Sequence, residues 1–551
     1  MKKVLAKSYY WLLVSLLLHA VAISLGVSYY ENGTNTYMKI GSSGKLFGQP
    51  EGIPLPVGGN LLLSDAIALL YKTLPEFEWY DLFSFSFSVI ALYCLILVLT
   101  FKIEKRTIKH WILGFLGICM YLPNLAMYEF TRISMILGFC AGLLILKTPV
   151  LNWRYVALNI LLAASMLIRP DGYALTLAYL IPIIFLIREW SNSIKLAPAV
   201  FVFLGVILLL NLPASVDDAN YLELRPYQLT LFDYDVTLKI PFKNQEDSIL
   251  VDAVRQTFLN DPKHITKEVL ATYVPPLDKT PNRFFEYLVE NPIDTSSLRS
   301  LFSTLDPPST YTPWLAVLFM LLITSVGENP DRLKLAIYGL GGLASFVIVG
   351  VYFKTVSHVL FPSSLCIVAG MLFLSKQAVN PLKLTLLSSV FLIGGILISG
   401  KRISGSDRMQ IDSIEELNQH VTSNYSQFND QIFIYNLPSL IRTNSRVFGC
   451  RDQILPNSFS FDNGFLYHSQ AYRNKSVDYF GSYQSNDILK AILAKPEKFI
   501  FVSTPSRLEF LQGYFSGLYS LNFEYLIEYL PSSDLPKDRI PSLIRITPVD
   551  G

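Results

Sequence analysis

Long apolar runs recur along most of the chain and limit its architecture more than any other feature. They fall at 11–27, 82–101, 111–122, 133–146, 155–168, 173–187, 196–212, 314–326, 335–353, 359–375 and 384–400. A hydrocarbon layer about 30 Å thick asks for helices of roughly 20 apolar residues. The runs approach that length repeatedly. Hydrophobic residues make up 51% of the chain, charged residues 16%, and mean hydropathy is +0.39, which excludes an ordinary soluble enzyme. A net charge of +2 offers no basic footprint for nucleic acid. The sequence therefore predicts a polytopic α-helical membrane protein with about eleven transmembrane helices over 1–400. A C-terminal extracytoplasmic α/β domain follows over 401–551.

Orientation follows from the basic residues that flank the runs. Lys2, Lys3 and Lys7 precede the first, which is read as a retained span because no small-residue cleavage pattern leads into Tyr29-Tyr30-Glu31. Lys102, Lys105, Arg106, Lys109, Lys147, Arg154, Arg188, Lys195, Arg332, Lys334, Lys376 and Lys383 fall on one set of short connections. These belong on the cytoplasmic side with the N-terminus. An odd number of spans then puts the C-terminus outside. Three hydrophilic regions share that outer face: 29–80, 213–313 and 401–551. No internal repeat is visible, unlike many transporters.

The last region carries short β-type runs at 431–435, 498–502 and 542–546, with helical patterns at 411–423 and 487–494 between them. The aromatic residues of 462–484, Phe465, Tyr467, Tyr472, Tyr479, Phe480 and Tyr483, read as core before they read as a sugar platform. In the middle region, Asp217-Asp218 and Asp233-Tyr234-Asp235 are carboxylate pairs of the kind that can hold a divalent cation or relay protons. His264, His358, His420 and His468 are scattered, with no spacing that would support a zinc site. Cys94, Cys119, Cys140 and Cys366 lie in apolar runs, leaving Cys450 alone in a polar stretch, so no disulfide framework is expected.

A charge beside hydrocarbon is costly and needs a partner or a use. Glu31 follows the first apolar run. Glu129 and Arg132 stand in the turn Met127-Tyr128-Glu129-Phe130-Thr131-Arg132, and Arg169-Pro170-Asp171-Gly172 interrupts a long apolar stretch. Lys354 and His358 flank a further turn. All of these project to the outer face. Cations there suit a phosphate head group. A carboxylate at the same mouth can take the proton of an acceptor hydroxyl attacking a sugar's anomeric carbon. Because phosphate leaves without strong acid help, one base can suffice, whereas glycosidases use paired carboxyl groups.

The layout resembles the GT-C superfamily of membrane glycosyltransferases, which includes the protein O-mannosyltransferases and the aminoarabinose transferases of lipid A. The likeness is sharpest in the first outer loop, in Glu31, Tyr37 and Gly44-Lys45-Leu46-Phe47, with Phe130-Thr131-Arg132 and Ile168-Arg169-Pro170-Asp171 beyond it. The resemblance implies an inverting transfer from a polyprenyl-phosphate sugar donor to an envelope glycan, lipid or protein at the inner (plasma) membrane. Glu31 and Glu129 are then the catalytic candidates. Tyr37, Arg132, Arg169, Asp171, Lys354 and His358 would contact substrate. No organic cofactor is implied, and a divalent metal is compatible. One departure stands out: superfamily members carry an Asp, often an acidic pair, a few residues before the Tyr, where this chain has Gly33-Thr34-Asn35-Thr36. That leaves the base role to Glu31 or Glu129, or leaves a non-catalytic scaffold that binds the lipid-linked sugar. A third reading, a polysaccharide polymerase or transporter, would need a polar path through several spans, and mid-span charges are nearly absent.

Overall fold

The computed structural model describes residues 9–30, 38–39, 41–44, 61–101, 107–149, 152–187, 194–198, 200–201, 205, 223–224, 226–228, 230–231, 238, 240–256, 258, 261, 263–275, 332–348, 357–374, 381–402, 406–436, 447–448, 457–461 and 470–549. The first half is helical: α1 (Tyr9–Ser24), α2 (Leu61–Thr73), α3 (Trp79–Thr100), α4 (Ile108–Ala126), α5 (Phe130–Lys147), α6 (Trp153–Ile168) and α7 (Pro170–Ile187). After the shorter α8 (Gln245–Arg255) and α9 (Lys267–Tyr273) come three more apolar helices, α10 (Arg332–Ile348), α11 (Ser357–Leu374) and α12 (Pro381–Arg402). Two two-residue strands, β1 (Tyr29–Tyr30) and β2 (Met127–Tyr128), sit at the ends of α1 and α4. Among the described residues, α3 and α5 are long and apolar enough to cross a membrane, and several shorter apolar helices pack with them. The expected runs at 196–212 and 314–326 lie mostly or wholly outside the described residues.

The bundle is built around α5, which packs against α3, α6, α7 and α11. Every residue of α5 from Thr131 to Leu146 is buried. Small residues make that possible. Ser134, Gly138 and Gly142 recur every fourth position and so share one face. A Cβ on Gly138 would lie 2.6 Å from Ser165 Oγ, and one on Gly142 2.4 Å from a Leu180 methyl. Close approach of this kind is how helices associate where lipid removes the hydrophobic drive. Polar side chains add interhelical ties: His19 of α1 shares a 2.9 Å hydrogen bond with Ser88 Oγ of α3, and the Tyr121 hydroxyl of α4 donates to the Ser88 carbonyl at 3.0 Å. The outward faces are apolar as well, with Leu13 and Leu17 of α1, Phe115 of α4, Ile160 of α6 and Leu386 and Ile393 of α12 all exposed. Hydrocarbon suits such a surface and water does not.

The C-terminal part is a mixed α/β unit: α13 (Ser406–Ser423), β3 (Ile432–Asn436), β4 (Ser458–Ser460), α14 (Gln470–Phe480), α15 (Ser485–Ala494), β5 (Phe499–Ser503), α16 (Pro505–Tyr519), β6 (Phe523–Tyr529) and β7 (Ser542–Pro548). The sheet order is β4-β3-β5-β7-β6, with β3 parallel to β4 and β5, and β7 antiparallel to β5 and β6. Strand residues point alternately to the two faces. Ile432, Ile434, Phe499 and Phe501 join one core with α14, α15 and α16, while Phe433, Tyr435, Ile500 and Val502 join a second with Leu417 and Val421 of α13. Both faces are covered, which explains unbroken apolar strands. Tyr472 is buried in the first core and Tyr479, Phe480 and Tyr483 pack on it, so these aromatics are structural; Phe465 and Tyr467 lie outside the described residues. Leu250, Val254, Phe258, Leu270 and Tyr273, from α8, α9 and the segment between them, share that core. The described helices α8 and α9 are thus continuous with the α/β unit.

Candidate active site

The site is assembled where α5 begins. β1 and β2 pair in parallel, with Tyr29 opposite Met127 and Tyr30 opposite Tyr128. The next residue, Glu129, is extended (φ −152°, ψ 129°) and caps α5. Its Oε2 accepts the Arg132 backbone N–H at 2.9 Å and its Oε1 accepts the Thr131 hydroxyl at 3.1 Å. An acidic N-cap satisfies an orphan donor and meets the positive end of the helix dipole. Both carboxylate oxygens are therefore engaged in starting the most buried helix of the bundle.

Arg132 and Arg169 lie at the same end. Arg132 is 2% exposed, with its guanidinium 5.4 Å from the centre of the Phe361 ring of α11. Arg169 stands between α6 and α7, half-buried, 5.0 Å over the ring of Phe130, the first residue of α5. Its N–H donates to the Ser165 carbonyl at 3.1 Å, and its carbonyl accepts from the Tyr173 N–H at 3.0 Å and from Ser134 Oγ at 3.2 Å. Pro170 opens α7, where its missing N–H costs no hydrogen bond. A planar, weakly hydrated guanidinium tolerates a ring-lined setting better than an ammonium would.

A second polar centre lies alongside. Asp81, in the first turn of α3, is fully buried. Its Oδ1 accepts the Tyr30 hydroxyl at 2.6 Å, and its Oδ2 takes Lys39 Nζ at 2.5 Å and the Phe448 N–H at 2.6 Å. Lys39 is 1% exposed and lies over the Tyr30 ring. Val447 N–H donates to the Ser28 carbonyl at 3.1 Å. Tyr30, Tyr71, Tyr80 and Tyr128 pack together around this pair with Ile67, Ile133 and Val447. Burial, reinforced by the Asp81 carboxylate, pushes the Tyr30 hydroxyl well above its ordinary value, and burial does the same for Tyr128. Both stay protonated donors.

No protein-family model matches the chain, and no curated protein does. Two solved structures align along it. ArnT from Cupriavidus metallidurans bound to undecaprenyl phosphate matches with a TM-score of 0.36 and 12% identity, over 98% of this chain and 97% of that one. The same protein in the apo state gives 0.34 and 11%, over 98% of each. The alignment is long in coverage and loose in geometry.

Of the residues expected from sequence, Glu129, Arg132 and Arg169 converge at one helix end. Asp171 and His358 occupy the second positions of α7 and α11, beside the same end of α5. Glu31, Tyr37 and Lys354 lie outside the described residues, as do Asp217, Asp218, Asp233 and Asp235. Among the described residues no three His, Cys, Asp or Glu side chains gather as metal ligands. Sequence reasoning missed Lys39 and Asp81. The available signal was an acid immediately before a long apolar run, the same signal that singled out Glu129.

Proposed function

We propose that the chain is a membrane glycosyltransferase, moving a sugar from a polyprenyl-phosphate donor to an envelope glycan, lipid or protein on the outer face of the inner membrane. The observation that carries this reading is the pair Arg132 and Arg169, each against an aromatic ring, at one end of a bundle whose sides are apolar. A polyprenyl phosphate needs both surfaces, hydrocarbon for its chain and a cation for its head group. Arg169, half-buried, is the cation a phosphate meets first. Arg132 adds its field from a low-dielectric position. Glu129 spends both oxygens on the helix cap, so the base role falls to Glu31, directly after Tyr30 in the chain. Glu31 takes the proton of the acceptor hydroxyl, whose oxygen attacks the anomeric carbon from the face opposite the phosphate. The bond to the phosphate oxygen breaks, its electron pair leaves with polyprenyl phosphate, and the anomeric configuration inverts.

The test follows loss of a radiolabelled polyprenyl-phosphate sugar in membrane vesicles. Glu31→Gln is expected to lower turnover by ~10²-fold or more with membrane insertion unchanged, and Arg169→Ala to raise the donor KM about tenfold. Turnover at the wild-type rate in Glu31→Gln removes that residue from the mechanism. A second reading, a scaffold that binds the lipid-linked sugar without transfer, is favoured by the capping role of Glu129 and by Gly33-Thr34-Asn35-Thr36 replacing the superfamily's acidic residue. Donor binding without donor loss in the wild-type protein would select it.

A further inference from the structure

The connections of the α/β sheet diverge between β3 and β5. In the order β4-β3-β5-β7-β6 the chain leaves β3 for β4 on one side and leaves β5, through α16, for β6 on the other. In open α/β sheets, ligands bind in the crevice at such a switch point, outside the carboxyl ends of the strands. Here those ends are Asn436 and Ser503, opposite each other in the parallel register, with Ser503 Oγ donating to the Asn436 carbonyl at 3.0 Å. Asn436 alternates with Ile432 and Ile434, and Ser503 with Phe499 and Phe501, so both side chains point to the face that α14, α15 and α16 cover. Thr504 follows directly, and Pro505 opens α16.

Two independent features meet there. Asn436 is 0% exposed, yet neither its Oδ1 nor its Nδ2 has a hydrogen-bond partner among the described residues. A buried carboxamide left unpaired is costly and calls for a partner. The second feature is the start of α16, a helix of 15 residues with no acidic residue in its first turn and no side-chain cap. The Thr504 hydroxyl instead shares a 3.2 Å hydrogen bond with Ser506 Oγ. An uncapped helix start offers N–H donors and the positive end of the dipole to an anion. Arg507 is already held by Gln256 and the Phe510 ring, so the donors are the helix start and its hydroxyls. We infer that this crevice binds a phosphate ester that carries a neighbouring hydroxyl. The helix start, with the hydroxyl proton that Thr504 and Ser506 do not spend on each other, receives the phosphate oxygens. Asn436 Nδ2 donates to the same ligand and Oδ1 accepts its hydroxyl. A group that only accepts would satisfy half of the carboxamide.

Binding here depends on the sheet and not on the transferase chemistry, and it is unchanged in Glu31→Gln. The experiment titrates the full chain, in phosphatidylcholine nanodiscs, with sn-glycerol 3-phosphate, glycerol and glycerate. Glycerol phosphate is expected to bind at least about tenfold tighter than the other two. Asn436→Leu, close in shape and apolar, weakens it at least about tenfold. The same variant unfolds, without ligand, at the wild-type temperature or above, because no hydrogen bond of that side chain is lost. Ser506→Glu puts a carboxylate where the helix start welcomes one, so the fold stands and the phosphate is repelled. Phosphatidylglycerol added to the nanodisc competes if the natural ligand is a lipid head group and does not if it is a soluble ester; either result fits the crevice. The assignment is overturned if glycerol phosphate fails to bind, if glycerol or glycerate binds as tightly, or if either variant binds like the wild type. A lower unfolding temperature in ligand-free Asn436→Leu also overturns it, because the carboxamide would then serve the fold.

Discussion

Lys39 and Asp81 form an ion pair with almost no contact with solvent, at 1% and 0% exposure. Taking two charges out of water is expensive, and removing one partner strands the other. Lys39→Met should therefore destabilise the protein by about 3–5 kcal/mol, read as a lower unfolding midpoint in detergent. Adding Asp81→Asn should recover most of that loss, because the stranded charge is gone while an amide oxygen still accepts from Tyr30 or Phe448. A Lys39→Met protein as stable as the wild type would mean that the pair contributes nothing. Glu129, Arg132 and Arg169 were legible in the sequence because charge at the edge of an apolar run is costly wherever the chain folds. Lys39 gave no such signal, since it lies in a hydrophilic loop. Its partnership with Asp81 is a tertiary contact, made beside Tyr30, whose strand β1 pairs with β2 and whose hydroxyl also reaches Asp81.

At the scale of elements, the small-residue face of α5 makes an ordered prediction. Any Gly→Ala change inside a helix gains up to about 1 kcal/mol of propensity, so packing decides the sign. At Gly142 the obstacle is the flexible end of Leu180, which can rotate away. At Gly138 it is the short Ser165 side chain, with Thr176 closing the other side at 3.2 Å. Gly138→Ala should thus cost about 1–3 kcal/mol and Gly142→Ala little or nothing, measured by thermal unfolding of the purified variants; the reverse order would refute this packing. Apolar run length placed α1, α3 to α7 and α10 to α12, because a bundle in hydrocarbon leaves few alternatives. The α/β unit was less transparent. Buried β3 and β5 were visible as nearly continuous apolar runs, and β7 as the short β-type run Ser542-Leu543-Ile544-Arg545-Ile546. Edge strand β6, Phe-Glu-Tyr-Leu-Ile-Glu-Tyr, mixes charge with exposed Leu526 and lacks that signature. α16 was hidden by Gly513 and Gly517, which weaken a helical pattern; of the two, Gly517 is accounted for by its close approach to Ile249 of α8.

For the molecule as a whole, hydrogen bonds from residues 447–448 reach the end of the bundle where Arg132 and Arg169 lie. Val447 donates to Ser28 and Phe448 to Asp81, at the same end as the Tyr30–Tyr128 pairing and the start of α5. Whatever side of the membrane this end faces, residues 447–448 face it too. The basic connections predict that this side is the outer one. Cys450 follows the anchor by two residues, while Cys94, Cys119, Cys140 and Cys366 are buried in the bundle. A membrane-impermeant maleimide added to intact spheroplasts should therefore label the protein, and Cys450→Ser should abolish the label. If labelling instead requires permeabilised cells, the orientation is inverted. Arg132 and Arg169 would then face the cytoplasm, and a donor presented on the outer leaflet could not reach them.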